Sequence, residues 1–190
     1  MKILFISLGC DKNLADSEEM LGLLTGNGHE IVDSEEEADA IVINTCCFIH
    51  DAKEESVNTI LEMAEYKKTG TCKILIVTGC MAQRYKEEIT KEIPEVDAVL
   101  GTTSYGDIVK ALNEAEAGHV FQEFKDINAL PEDSGRRVIT TGGHFGYLKI
   151  AEGCDKHCTY CIIPSLRGKF RSVPAVSYTH LRAHETCADL

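Results

Sequence analysis

The chain has 190 residues, of which 44% are apolar, enough for one full domain and part of another. Its net charge of −12 argues against a large nucleic-acid footprint, which calls for a basic face. No apolar run approaches the ~18 residues of a membrane span, and the apolar start after Lys2 is too short for the core of a signal peptide, so a cytoplasmic protein is expected. In that compartment nine cysteines point to metal or redox work rather than to disulfides.

Buried strands are expected over residues 2–7, 29–33, 40–44, 73–78 and 98–100, each a short apolar run. Between them lie amphipathic helices over 13–25, 51–68, 83–93 and 104–117. Leu14, Met20, Leu21 and Leu24 share one face of the first, and Val57, Ile60, Leu61 and Ala64 one face of the second. Gly26-Asn27-Gly28 stops the first, Gly70 closes the second, Pro94 ends the third, and Ser104 is the expected N-cap of the fourth. Alternation of this kind predicts an α/β fold with a parallel sheet flanked by helices. The first domain is placed at 1–117. Residues 118–145 break the pattern with a Pro131-Glu132-Asp133-Ser134-Gly135 stretch and Gly142-Gly143, and 118–139 is read as a linker. A new strand over 146–151 then feeds a cysteine loop. Asp16–Glu19 and Glu35–Glu37 are read as solvated acidic faces.

Cys10, Cys46 and Cys80 each follow a predicted strand at its C-terminal end. Ligands of open parallel sheets bind in the crevice at those ends, so the three thiols converge on one edge. Gly9 and Gly79 allow a tight turn beside a bulky group. A second iron–sulfur site with three thiolate ligands follows, the alternative being three ordinary buried cysteines. Cys47 is the rival of Cys46, although adjacent side chains point in different directions; Cys72 and Cys187 have no such placement. His180 and His184 lie at helical i, i+4 spacing, a weak metal signal.

The densest signal is Gly153-Cys154-Asp155-Lys156-His157-Cys158-Thr159-Tyr160-Cys161, a C-x3-C-x2-C spacing. Short loops cannot pair three such thiols as disulfides, but the three can share one iron–sulfur cube. A [4Fe–4S] cluster ordinarily takes four cysteines, so three leave one iron open to another ligand. Structural zinc is the alternative, but no second C-x2-C pair flanks the loop, and His157 is too close to Cys158 to share a tetrahedral ion easily. Arg167, Lys169 and Arg171 follow, read either as contacts to an anionic partner or as ordinary basic loop residues.

The loop resembles the radical-SAM signature, in which the open iron holds S-adenosyl-L-methionine (SAM) and Tyr160 stands where an aromatic residue meets the adenine. From residue 1 to about 173 the chain resembles the methylthiotransferases, a radical-SAM family with a flavodoxin-like first domain. Ser7-Leu8-Gly9-Cys10-Asp11-Lys12-Asn13-Leu14 and Asn44-Thr45-Cys46-Cys47-Phe48-Ile49-His50 look like the branch that modifies a ribosomal protein (RimO-type) rather than the branch that modifies tRNA (MiaB-type). Gly79-Cys80-Met81-Ala82-Gln83-Arg84-Tyr85 and Ile162-Ile163-Pro164-Ser165-Leu166-Arg167-Gly168 fit the family in general.

The resemblance implies methylthiolation of an aspartate β-carbon in small-subunit ribosomal protein twelve. One [4Fe–4S] cluster would sit on Cys154, Cys158 and Cys161 and generate a 5′-deoxyadenosyl radical from SAM. A second would sit on Cys10, Cys46 and Cys80 and hold the sulfur that is methylated and transferred. The implied partners are that ribosomal protein and an electron donor such as flavodoxin, with the protein itself a monomer. Against the family pattern, residues 140–173 supply only the first strand and cluster loop of a TIM-like barrel, and residues 174–190 read as a non-family tail. The chain as given is therefore expected to lack methylthiotransferase activity. The rival functions are a tRNA methylthiotransferase and a non-catalytic flavodoxin-like module with a zinc loop.

Overall fold

A computed structural model describes residues 1–130 and 135–174. Six parallel strands form one sheet in the order β2-β1-β3-β4-β5-β6. They are β1 (Lys2–Ser7), β2 (Glu30–Val32), β3 (Ala40–Thr45), β4 (Ile74–Gly79), β5 (Ala98–Leu100) and β6 (Phe121–Glu123). The central strands β3 and β4 are buried at every residue, as expected of strands covered on both faces. Alternate residues of β3 divide between two cores. Ile41 and Ile43 join Ile60, Met63 and Met81 on one side, while Ala40 and Val42 join Met20, Leu24, Ile108 and Leu112 on the other.

Helices α1 (Asp11–Gly26) and α5 (Ile108–Glu116) cover the second face. Helices α2 (His50–Thr69), α3 (Cys80–Arg84), α4 (Lys86–Glu92) and α6 (Ile163–Arg167) supply residues to the first. The α/β fold with a flavodoxin-like parallel sheet expected from the sequence is thus present. β1 pairs with both β2 and β3, so the chain order reverses beside it, and the crevice lies where connections from neighbouring strands diverge.

Four local expectations are corrected. The helix expected over 83–93 is two helices, interrupted at Tyr85 with φ −120° and ψ 32°. Ser104 does not cap a helix with its side chain; its hydroxyl accepts the Lys125 backbone N–H at 2.9 Å, and a 3-10 turn over Tyr105–Asp107 precedes α5. β6 lies in the stretch read as a connection, pairing Phe121 with Ala98 in parallel. Three residues at a sheet edge, with only part of each side chain buried, leave little periodic signal. The strand expected over 146–151 is reduced to β7 (Ala151–Glu152), because among the described residues its pairing partner is only the short antiparallel β8 (Arg171–Ser172).

The acidic face expected at Asp16–Glu19 is also overturned in part. Asp16 and Glu18 are buried, Glu18 completely. Glu18 accepts the Arg137 guanidinium at 2.5 and 2.9 Å and the Thr140 backbone N–H at 2.7 Å. A buried carboxylate persists only when paired and hydrogen-bonded, and both partners here lie beyond residue 135. They fasten the returning chain along α1, where Gly22 and Gly26 leave room for Arg136: a Cβ on Gly22 would lie 2.6 Å from the Arg136 carbonyl oxygen.

Candidate functional site

The C-terminal ends of β1, β3 and β4 surround a cavity of about 1100 Å³. Its wall includes Cys10, Cys46, Cys80 and Cys154, with Lys12, Phe48, Ile49, Leu166 and Arg167. The three strand-end cysteines therefore face one space, and the cysteine loop contributes a fourth thiol. Cys158, Cys161 and Tyr160 are outside this wall. Cys158 is exposed, Cys161 half-buried, and Tyr160 89% exposed. Among the described residues no three His, Cys, Asp or Glu side chains stand close enough together to hold one metal ion. Cys187, His180 and His184 lie outside the described residues.

Tight turns bring these thiols to the crevice. Gly9 has φ +94° and Gly79 φ +93°, backbone regions that L side chains rarely adopt. A Cβ on Gly9 would stand 2.6 Å from Cys46 Cβ, and one on Gly79 would stand 2.5 Å from the Thr45 carbonyl oxygen. Both glycines were expected to turn tightly beside the site, and both do. Cys47 points elsewhere: its thiol donates to the Cys80 carbonyl at 3.3 Å, and burial pushes its pKa up to about 11. Burial also raises the pKa of the Cys80 thiol, against the pull of the Arg167 guanidinium.

Arg167 was read as either an anion contact or a loop residue; it is buried in α6. Its Nη1 lies 2.6 Å from Asp16 Oδ2 and 3.3 Å from Glu152 Oε1. Lys149 Nζ bonds Asp16 Oδ1, lies 3.1 Å from Glu152 Oε1 and donates to the Tyr105 hydroxyl at 3.2 Å. Lys12 adds a contact of 3.7 Å to Glu152 Oε2 and donates to the Ala151 carbonyl at 2.7 Å. Burial alone would drive Glu152 toward its neutral form, but Lys149, Arg167 and Lys12 outweigh it, so its carboxyl titrates below the usual range. For Lys149, burial is likewise outweighed by Asp16, Tyr105 and Glu152, and the ammonium is held.

This network fastens the segment carrying Cys154 to the first turns of α1. The loop's backbone is folded tightly as well. Gly153 adopts φ +72° under the Gly168 carbonyl, which accepts the Cys154 N–H at 3.1 Å. Sequence reasoning missed Asn13, Asp16, Lys149 and Glu152. The available signal was weak: two polar residues three apart on α1, directly after Cys10, and a lysine and a glutamate just before Cys154.

Residues 2–101 match the family described as uncharacterized protein family UPF0004. The chain is 67% identical over 174 residues to the ribosomal protein uS12 methylthiotransferase RimO of Lachnoclostridium phytofermentans, which covers 92% of this chain and 40% of that protein. It is 52% identical over 172 residues to the protein of the same name from Clostridioides difficile, and 50% identical over 173 residues to that of Desulforamulus reducens. The match takes in 90% of this chain and 39% of the relative in both cases, so the chain spans about two fifths of the length of these curated relatives. With more than half of its length matched by that family's model, the chain belongs to the UPF0004 family.

Proposed function

We propose that this chain is the N-terminal part of an enzyme that methylthiolates an aspartate β-carbon of ribosomal protein uS12. The observation that carries the reading is the gathering of Cys10, Cys46, Cys80 and Cys154 around one cavity beside a buried arginine. The relatives' names supply the substrate class.

The donor set fits thiolate-ligated iron–sulfur clusters. Cys10, Cys46 and Cys80 come from three strand ends and would supply three of the four ligands that an iron–sulfur cluster ordinarily takes. Cys154, Cys158 and Cys161 would hold the second cluster, and Tyr160 would meet the adenine of SAM. When bound, the two [4Fe–4S] clusters supply one-electron cleavage of SAM and a place for the sulfur to be transferred.

The protein's own residues do the rest. Phe48, Ile49, Ile163 and Leu166 give the cavity an apolar wall. Arg167 and Lys12 keep positive charge at that wall, offsetting the negative charge of thiolate ligands. The buried ion pairs hold the cysteine loop's segment against α1, which keeps Cys154 on the wall it shares with the strand-end thiols.

Anaerobic reconstitution followed by iron and sulfide analysis tests the cofactors. About eight of each per chain is expected for two clusters; stoichiometric zinc without sulfide would overturn the reading. Mass spectrometry of uS12 and of tRNA from a strain with and without the gene tests the substrate. Loss of the methylthio group from uS12 on deletion is expected, whereas its loss from tRNA alone would move the protein to the tRNA-modifying branch.

A further inference from the structure

We propose that Asn13 and Arg167 are positioning residues that set the three strand-end thiols relative to one another and tie that setting to the segment carrying the cysteine loop. The inference rests on the assignment of Cys10, Cys46 and Cys80 as ligands, and it concerns atoms that assignment does not use.

Asn13 is fully buried in the first turn of α1. Its Nδ2 donates to the Leu8 carbonyl at 3.0 Å and to the Thr45 carbonyl at 2.9 Å. The second carbonyl belongs to the peptide bond that enters Cys46, and the first stands one residue before Gly9-Cys10. Its Oδ1 accepts from Arg167 Nη2 at 2.5 Å and lies 3.7 Å from Cys80 Sγ. One carboxamide is thus bonded beside all three cysteines.

The orientation of this amide is fixed by chemistry. Two carbonyls can only accept and a guanidinium can only donate, so the amide nitrogen must face Leu8 and Thr45 and the oxygen must face Arg167. A flipped amide would set oxygen against two carbonyls and NH2 against a cation. The guanidinium is planar, and its other arm is held by Asp16 and Glu152. A shift of α6 or β7 would therefore be felt at Asn13, and through it at the ends of β1, β3 and β4.

Cysteine labelling of the reduced, metal-free 190-residue chain tests this, with each site read by mass spectrometry after N-ethylmaleimide treatment. Cys72 is the internal reference, since it is buried before the N-terminal end of β4, away from the crevice. Asn13→Asp keeps the acceptor for Arg167 but loses both donated bonds. Arg167→Lys keeps the charge beside Asp16 but lacks the second planar donor. The expected result is labelling of Cys46 and Cys80 raised about tenfold relative to Cys72 in both variants, through local opening of the strand ends. Rates at Cys46 and Cys80 that stay at the wild-type value, or that rise only in step with Cys72, would overturn the proposal. Iron uptake by the chain with Cys154, Cys158 and Cys161 replaced by alanine is measured separately. Absence of iron there would defeat the ligand assignment and leave the labelling result to decide the role of Asn13 and Arg167.

Discussion

Arg167 Nη1 lies 2.6 Å from Asp16 Oδ2, a pairing of residues 151 positions apart in the chain. Neither side chain has appreciable contact with water, so the pair is not a surface decoration. Desolvating two charges is costly, and that cost is met here by several partners at once: Asp16 also holds Lys149, and Arg167 also bonds Glu152 and Asn13. The pair is one member of a buried charge cluster that joins the early helix α1 to the segment around Cys154.

Removing one member strands the others. Asp16→Ala leaves Arg167 and Lys149 buried with only Glu152 as carboxylate partner. Loss of a buried partner of this kind costs about 3–5 kcal/mol. Urea denaturation of the 190-residue chain measures it, and a loss below about 1 kcal/mol would mean that water screens the cluster as it does at a surface.

The ligand assignment separates adjacent cysteines. Cys10→Ala, Cys46→Ala and Cys80→Ala should each remove the iron bound at the strand ends, because only two of the three strand-end thiols then remain. Cys47→Ala should keep that iron, since the Cys47 thiol faces the Cys80 carbonyl and is not part of the wall. Anaerobic reconstitution of the four variants is the measurement. Iron that survives Cys46→Ala but not Cys47→Ala would exchange their roles.

The turn at Gly79 admits no side chain. Its φ of +93° is strained for any L residue, and the new Cβ would press on Thr45. Gly79→Ala should therefore lower stability by about 2 kcal/mol or more and displace Cys80, its immediate neighbour. Thermal unfolding reads the first effect and N-ethylmaleimide labelling of Cys80 the second. Wild-type values in both would show that the strand end relaxes freely.

His29 gives a pH dependence. Burial lowers its pKa from the ordinary 6.5, aided by the positive amino group of Met1 and opposed by Glu116. The unfolded chain then binds the proton more readily than the folded one. The associated stability is present above the unfolded value of 6.5 and is lost as pH falls through the lower folded value. Denaturation midpoints should rise from pH 5 to pH 7 in the wild type and rise less in His29→Asn. Equal slopes in the two proteins would assign the dependence to other groups.

The sequence by itself determined the parallel sheet and the strand-end placement of three thiols. Apolar runs such as Ile41–Ile43 and Leu75–Val77 have no other stable place than a doubly covered strand, and chain direction then sends Cys10, Cys46 and Cys80 to one edge. Gly9 and Gly79 were legible for the same local reason, since only glycine turns so sharply there. The tertiary structure alone decided the fate of the polar residues. Asp16 and Glu18 look like solvent-facing acids on a helix, and nothing nearby in sequence says otherwise. Their partners Lys149, Arg167 and Arg137 arrive from over a hundred residues away. Asn13 is equally ordinary until β1, β3, β4 and α6 meet around it. Hydrophobic periodicity is a local property that the chain carries wherever it goes, whereas a buried charge or amide acquires its meaning only from the groups that folding brings within hydrogen-bond reach.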